Sequence, residues 1–334
     1  MIRGKQVGLA LWGAEPVPRL VAHAQLAESI GLDNIWVIDS QLLCREVTVT
    51  LAACLAATTR LHVASGVTQP ATRHPSVAAS ALATLHEMSG GRALMGIGTG
   101  FSSLRTIGMP AAKLAEVETF VDTMRRLLRK QRVVFGGTEA ELAWLPAPIR
   151  APIVVAASGP SMTRAAPRFA DGIILHHGVS AELLNRALDW LREGTERAAR
   201  SRPFNVSVWV PYALAADPRV ARDSIRPRVA GALVQADPTQ FHGAERAAVE
   251  RLQASYDVGH HASAGPEHAA IVTDSLVDRY AVAGTSEEVC AGLGRLLDHP
   301  AVDRVILNPQ ISGAGAPSLE QVLRDLAREV LPAL

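Results

Sequence analysis

Strand-like and helix-like runs alternate along this chain from one end to the other, and this alternation constrains the fold more than any other feature. Each short apolar run is followed by a stretch with apolar residues at helical spacing. The predicted strands are 6–12, 34–38, 61–67, 93–97, 153–157, 172–175, 206–210 and 305–307. Such an alternation produces a parallel sheet with helical crossovers, and eight strands are the number in a closed barrel. The sequence therefore predicts the α/β class and a (β/α)8 TIM barrel, with residues 1–334 as a single domain.

The connection after the seventh strand, residues 218–284, is far longer than the others and contains two or three helical stretches. Within it, residues 255–265 hold two Gly and two His with little periodicity, and are predicted to form a loop. Connections of this length are commonly active-site lids or binding elements. We therefore expect an extended insertion that acts as a lid or as an interface.

Composition excludes several classes of partner. The chain has 33 Lys and Arg against 32 Asp and Glu, so its net charge of +1 provides no field that would attract nucleic acid. Its apolar stretches are shorter than the roughly 20 residues of a membrane span, and its N-terminal residues lack the apolar segment of a signal peptide. Three cysteines without paired close spacing fit neither a disulfide framework nor a zinc site. We expect a cytoplasmic protein without a metal, a membrane contact or a nucleic-acid partner.

The residues that follow the strands carry the functional signal, because barrel enzymes build their sites at the C-terminal ends of their strands. Small residues and glycines dominate there, and glycine lets a ligand approach the backbone closely. In the segment 158–161, Gly159 and Pro160 suit the start of a helix, whose free N–H groups bind phosphate. An ordinary strand-to-helix turn explains the same four residues equally well.

Other residues at the strand ends allow two interpretations. Asp39 suits a ligand contact or a helix cap. Because side chains alternate along a strand, at most one of His176 and His177 faces the barrel mouth. Gly98-Thr99-Gly100 resembles a dinucleotide fingerprint, but Ser103 stands where its third glycine belongs. No self-sufficient catalytic motif is present, and the catalytic residues stay unassigned, so we expect a cofactor to supply the chemistry.

Several motifs in fixed order resemble a known family. They are 59–70, 73–75 with 83–85, 88–92 leading to 96–98, Gly108, 113–114, 157–160, 170–172 and 282–289. Together they resemble the luciferase-like flavin and deazaflavin oxidoreductases, and within them the group similar to methylenetetrahydromethanopterin reductase. The resemblance implies a redox cofactor across the C-terminal mouth of the barrel. It also implies a non-prolyl cis peptide at Gly66-Val67 that backs the cofactor ring.

The resemblance assigns a cofactor site and a reaction. The cofactor-binding residues are predicted to be Asp39, Ser40, Gly66, Val67, Thr68, Gly98, Thr99, Gly100, Ala156, Ala157, Ser158, Gly159 and Pro160. The leading hypothesis is hydride transfer between coenzyme F-420, a deazaflavin, and a small organic substrate. The alternative is an FMN-dependent monooxygenase that uses reduced flavin and O2. A second alternative is a catalytically inactive barrel that binds a ligand.

Two departures from the family pattern concern the reaction centre. Relatives commonly have His where this chain has Ser40, and an acidic residue where it has Phe101. Both are candidates for proton handling in the family, so their absence argues against methylenetetrahydromethanopterin as the substrate. The predicted substrate pocket comprises Trp12, Phe101, His177, Trp209 and Tyr212. Small-residue faces on the early helices, as in relatives that pair there, predict a homodimer.

Overall fold

The computed structural model describes residues 4–199, 203–256, 267–312 and 316–334. Its strands are β1 (Gln6–Leu11), β2 (Asn34–Val37), β3 (His62–Thr68), β4 (Ala93–Ile97), β5 (Val133–Phe135), β6 (Thr138–Ala140), β7 (Ile153–Ala157), β8 (Gly172–Leu175), β9 (Asn205–Leu214), β10 (Val282–Gly284) and β11 (Arg304–Pro309). Parallel pairing runs in the order β9-β11-β1-β2-β3-β4-β7-β8, and β8 pairs back with β9. The eight-stranded parallel barrel predicted from the sequence is confirmed.

Helices follow the barrel strands along the chain. They are α1 (Val17–Ser29), α2 (Val47–Ala56), α3 (Pro75–Met88), α4 (Phe101–Arg105), α5 (Leu114–Leu128), α6 (Pro160–Phe169), α7 (Ala181–Arg197), α8 (Pro218–Leu233), α9 (Gly243–Ser255), α10 (Asp274–Tyr280), α11 (Ser286–Leu297) and α12 (Leu319–Asp325). A π-helical turn, Leu326–Val330, continues α12.

The barrel strands have apolar residues on both faces because each face packs against protein. Towards the axis, every strand of the ring contributes one residue to a compact cluster: Ala10, Trp36, Ala64, Leu94, Val154, Ile174, Trp209 and Ile306. The alternate residues face outwards and form the main core with the helices. Trp36 is fully buried and fills much of the interior, so the barrel is closed below its mouth.

The structure differs from the sequence prediction around β4 and α5. The predicted helix at 110–129 begins only at Leu114, where the N–H of Lys113 bonds to the Glu116 carboxylate in a capping box. The short helix α4 precedes it and was not predicted. The predicted bridge at 135–152 contains the turn and the second strand of a hairpin, β5–β6. The turn residues Gly136 and Gly137 both have positive φ.

The long connection after the seventh barrel strand builds a small core of its own. Helices α8, α9 and α10 pack together through a cluster that includes Ile225, Val229, Phe241, Leu252 and Tyr280. The connection also adds β10, which pairs with the end of β9 and was not predicted as a strand. Most of the loop predicted at 255–265 lies outside the described residues.

Candidate functional site

The C-terminal ends of the barrel strands surround a cavity of about 180 Å³. Thirteen of the residues predicted for the cofactor and substrate line it: Asp39, Ser40, Gly66, Val67, Gly98, Thr99, Gly100, Ala156, Ala157, Ser158, Trp12, Phe101 and Trp209. Thr68 and Gly159 are immediate chain neighbours of lining residues, and Pro160 follows Gly159, but none of the three is part of the lining. His177 and Tyr212 lie elsewhere.

A bulge in β3 forms one wall of the cavity. The Gly66-Val67 peptide bond is cis, as the family resemblance implies, and the pairing with β4 shifts register between Ser65 and Thr68. The side chain of Val67 lies over β4, where a Cβ on Gly98 would come 2.8 Å from Val67 Cγ2. Glycine at position 98 therefore lets the side chain of Val67 pack closely against the segment that follows β4.

A second part of the cavity wall, two strands away from β3 in the ring, includes the start of α6. Gly159 is the N-cap residue and offers no side chain to accept the free N–H groups of the first turn. Pro160 opens the helix, and Ser158 lines the cavity just before it. The N-terminus of an α-helix carries a partial positive charge. Uncapped N–H groups at this end of the cavity could therefore serve as a cradle for a phosphate group.

Asp39 is buried and its charge is balanced by a residue that the sequence analysis left without a role. Arg73 Nη1 lies 2.6 Å from Asp39 Oδ2 and also donates to Thr68 Oγ1 at 2.9 Å. The other carboxylate oxygen of Asp39 accepts from Gln41 at 3.1 Å. Asp39 does not cap α2, because Glu46 does so. The Asp39–Arg73 pair thus ties the segments after β2 and β3 together beneath the mouth.

Of the two adjacent histidines, His176 lines the cavity and His177 does not. His177 is buried beneath α6, with Nε2 at 3.0 Å from Thr163 Oγ1. His176 faces the mouth with its ring edge-on to Trp209. Burial lowers the pKa of His176 to about 4, so its imidazole is neutral at pH 7. The substrate-pocket prediction chose the wrong member of the pair, because alternation alone does not tell which residue of a strand end faces inwards.

Tyr212 also lies outside the cavity, for the same reason of alternation. On β9, Trp209 faces the barrel axis, and Tyr212 has the opposite parity and packs into the outer core. Tyr212 is almost fully buried, and burial raises the pKa of its hydroxyl far above the usual value. It acts as a core residue.

The long connection supplies part of the cavity that the sequence analysis did not assign. Five residues of α8 and its C-terminal turn line it: Pro227, Arg228, Gly231, Ala232 and Gln235. They recur at steps of three and four along one helix face, a signal that was present in the sequence. From the same connection, the ring of Tyr256 lies 6.5 Å from that of Phe101. Further polar lining residues that were missed are Ser102 and Ser103 of α4 and Asn308 of β11.

Within residues 4–199, 203–256, 267–312 and 316–334, no three His, Cys, Asp or Glu side chains are grouped so that they could hold a metal ion. Nor does any helix there combine the length and the apolar character that crossing a membrane requires.

Comparison with known proteins identifies relatives over almost the whole chain. A family model described as luciferase-like monooxygenase matches residues 4–303. The chain is 26% identical to the 5,10-methylenetetrahydromethanopterin reductase of Methanolobus tindarius, over 97% of this chain and 99% of that protein. Among solved structures, the coenzyme F420 dependent tetrahydromethanopterin reductase of Methanopyrus kandleri superposes with a TM-score of 0.81 at 20% identity, covering 98% of this chain and 99% of the other. An F420-dependent secondary alcohol dehydrogenase superposes with a TM-score of 0.78 at 19% identity and 98% coverage of both chains.

Proposed function

Because the chain belongs to the luciferase-like monooxygenase family, we propose that it is an oxidoreductase that transfers hydride between coenzyme F-420 and a small organic substrate. The observation that carries this proposal is the pairing of two features in one cavity, the bulged wall at Gly66-Val67 and the uncapped start of α6. Relatives over nearly the full length are reductases, and similar folds belong to F420-dependent enzymes. These names favour a deazaflavin over FMN.

The cavity fits such a cofactor at both ends. The ring would lie against Gly66 and Val67, and the side chain of Val67 packs closely over Gly98. Its phosphate would lie at Ser158 and Gly159. Thr99 and Gly100 line the stretch between them, and Gly100 adopts a positive φ of 80°. Asp39 and Ser40 would border the ring, while Thr68 contributes only by accepting a hydrogen bond from Arg73.

When bound, a deazaflavin donates or accepts the hydride. The chain itself positions the reactants and excludes water, through Trp12, Phe101 and Trp209 around the mouth and α8 above it. His176 is neutral at pH 7 and therefore has one ring nitrogen that accepts and one that donates a hydrogen bond. We assign it to orienting a substrate hydroxyl or carbonyl group. Ser40 and Phe101 provide no acid or base for that step.

The runner-up function is an FMN-dependent monooxygenase using reduced flavin and O2. It would use the same wall and the same phosphate cradle, and the family description favours it. A catalytically inactive barrel that binds a ligand rests only on Ser40 and Phe101. The identity of the bound cofactor separates these three functions.

We expect the apoprotein to bind coenzyme F-420 at least about tenfold more tightly than FMN, a difference of about 1.4 kcal/mol in binding free energy. Titration of the protein into each cofactor, followed by ring fluorescence, measures both affinities. Tighter binding of FMN would move the function to oxygenation. Binding of neither cofactor would contradict both enzyme functions and leave the inactive barrel.

We also propose a cytoplasmic homodimer that pairs through the face around α2 and α3. Leu42, Val49 and Val77 leave 83%, 63% and 58% of their surface exposed there, and exposed apolar side chains of this kind are typical of association surfaces. Sedimentation equilibrium should give twice the chain mass of 35.4 kDa, and the Val49→Glu/Val77→Glu variant should shift the mass towards the monomer. A wild-type protein that sediments as a monomer at micromolar concentration would refute this assembly.

A further inference from the structure

Arg228 is a partly buried cation of the cavity, and it has no counter-ion among the described residues. It lies on the face of α8 that lines the cavity, and its buried Nε has no hydrogen-bond partner. Neighbouring arginines of the same helix are paired: Arg222 with Asp278 at 2.7 Å, and Arg226 with Asp274 at 2.5 Å. Among the described residues, no acidic side chain forms an ion pair with Arg228. Arg222 and Arg226 are thus neutralised, whereas Arg228, which faces the cavity, has no such partner among the described residues.

The surroundings of Arg228 keep it charged. Its guanidinium carbon lies 5.8 Å from the centre of the Trp12 ring, a cation–π contact. Burial lowers its pKa to about 10, so the group is still protonated at pH 7. Among the described residues that line the cavity, Asp39 is the only acidic one, and Arg73 neutralises its charge. The described lining therefore carries an excess positive charge at Arg228.

Arg228 and the phosphate cradle lie on opposite sides of the mouth. Trp12, under Arg228, follows β1, whereas Ser158 follows β7. In the closed ring β1-β2-β3-β4-β7-β8-β9-β11, these two strands are four places apart in either direction, so they are diametrically opposed. A cofactor whose phosphate occupies the start of α6 would leave the Arg228 side of the cavity to the second reactant.

We propose that Arg228 binds an anionic group of the substrate, a carboxylate or a phosphate, and so makes this an enzyme for organic anions. An isolated buried charge is strongly unfavourable, and a bound anion removes that penalty. The planar guanidinium suits both anions, because it forms two parallel hydrogen bonds with either of them. This inference rests on the proposed function, since it places the second reactant in the same cavity.

The test uses the protein loaded with coenzyme F-420 and two simple probes, inorganic phosphate and succinate, titrated by calorimetry. We expect at least one probe to bind, and the Arg228→Met variant to weaken that binding by about tenfold or more. Arg219→Met is the matched control, because Arg219 is on the same helix but exposed, and it should bind the probe like the wild type. Arg228→Lys should recover part of the affinity, since it restores the charge without the bidentate geometry.

Two further measurements distinguish substrate binding by Arg228 from cofactor binding and from a structural role. The affinity for F-420 should stay within about twofold in Arg228→Met; a tenfold loss would mean that Arg228 binds the anionic part of the cofactor, which overturns the proposal. The melting temperature of the unliganded Arg228→Met variant should equal or exceed that of the wild type, because an unpaired buried charge is removed. A clear decrease would indicate a structural role and overturn the proposal, as would absence of probe binding to wild type. Binding of F-420 to the wild type is measured in its own titration, and the probes are also titrated into the apoprotein. If the protein does not bind F-420, the proposed function fails, while the apoprotein titration still tests anion binding by Arg228.

Discussion

Replacing Ser158 by Asp is expected to weaken the binding of coenzyme F-420 by about 100-fold or more. The new carboxylate would lie at the uncapped start of α6, where the cofactor phosphate is proposed to bind. Two like charges at close range in a partly enclosed site repel strongly, because little water screens them. The carboxylate would also occupy the N–H groups that the phosphate needs. Fluorescence titration measures the change in affinity.

Two control variants show whether the effect comes from charge at that point. Ser158→Ala removes the hydroxyl without adding charge, and should change the affinity by less than about fivefold, the effect of a typical hydrogen bond. Val134→Asp adds the same charge on a strongly exposed residue of β5 outside the cavity lining and should leave binding unchanged. If Ser158→Asp binds the cofactor within about threefold of the wild type, the phosphate does not lie at α6.

Replacing Arg73 by Met is expected to lower the free energy of unfolding by about 3–5 kcal/mol, the effect of breaking a buried ion pair from one side. The side chain of Asp39 is only 4% exposed and would lose its main ion-pair partner. Glu46, the other partner of Arg73, is 49% exposed and loses little, because water replaces the arginine. Urea denaturation of the apoprotein measures the difference.

The double variant Asp39→Asn/Arg73→Met is the control for the cause. It removes both charges and should recover most of the stability, since no unpaired buried carboxylate remains. A double variant that is no more stable than Arg73→Met would show that the loss comes from the packing of the arginine stem instead of from the stranded charge.

The positions of the barrel strands followed from local pattern, and the structure confirms them to within a few residues. Each strand is a short apolar run between turn residues, and both faces of it are buried, so the pattern in the sequence is strong. The cluster of glycines at the strand ends was also readable, because a close approach to backbone needs residues without side chains. The cis peptide at Gly66-Val67 was expected only because the motifs around it resemble a known family.

The errors share one origin: a local sequence pattern does not show how a strand or helix packs against the rest of the protein. His177 was chosen over His176, and Tyr212 was placed in the substrate pocket, because a strand pattern shows that side chains alternate but not which face the barrel axis. The face of α8 that lines the cavity was missed because nothing local tells a helix in a long connection where to pack. Strand β10 was missed since three residues form a strand only when the end of β9 is beside them.

The amino-acid sequence by itself determined the barrel, its strand order in the chain and the small residues around its mouth, because these depend on apolar periodicity and on backbone freedom within short segments. Only the tertiary structure decided that Arg73 neutralises Asp39 and that Arg228 stays unpaired among the described residues. Both outcomes depend on contacts between segments far apart in the chain. A charge has a partner or lacks one only after the helices and strands that carry it have packed.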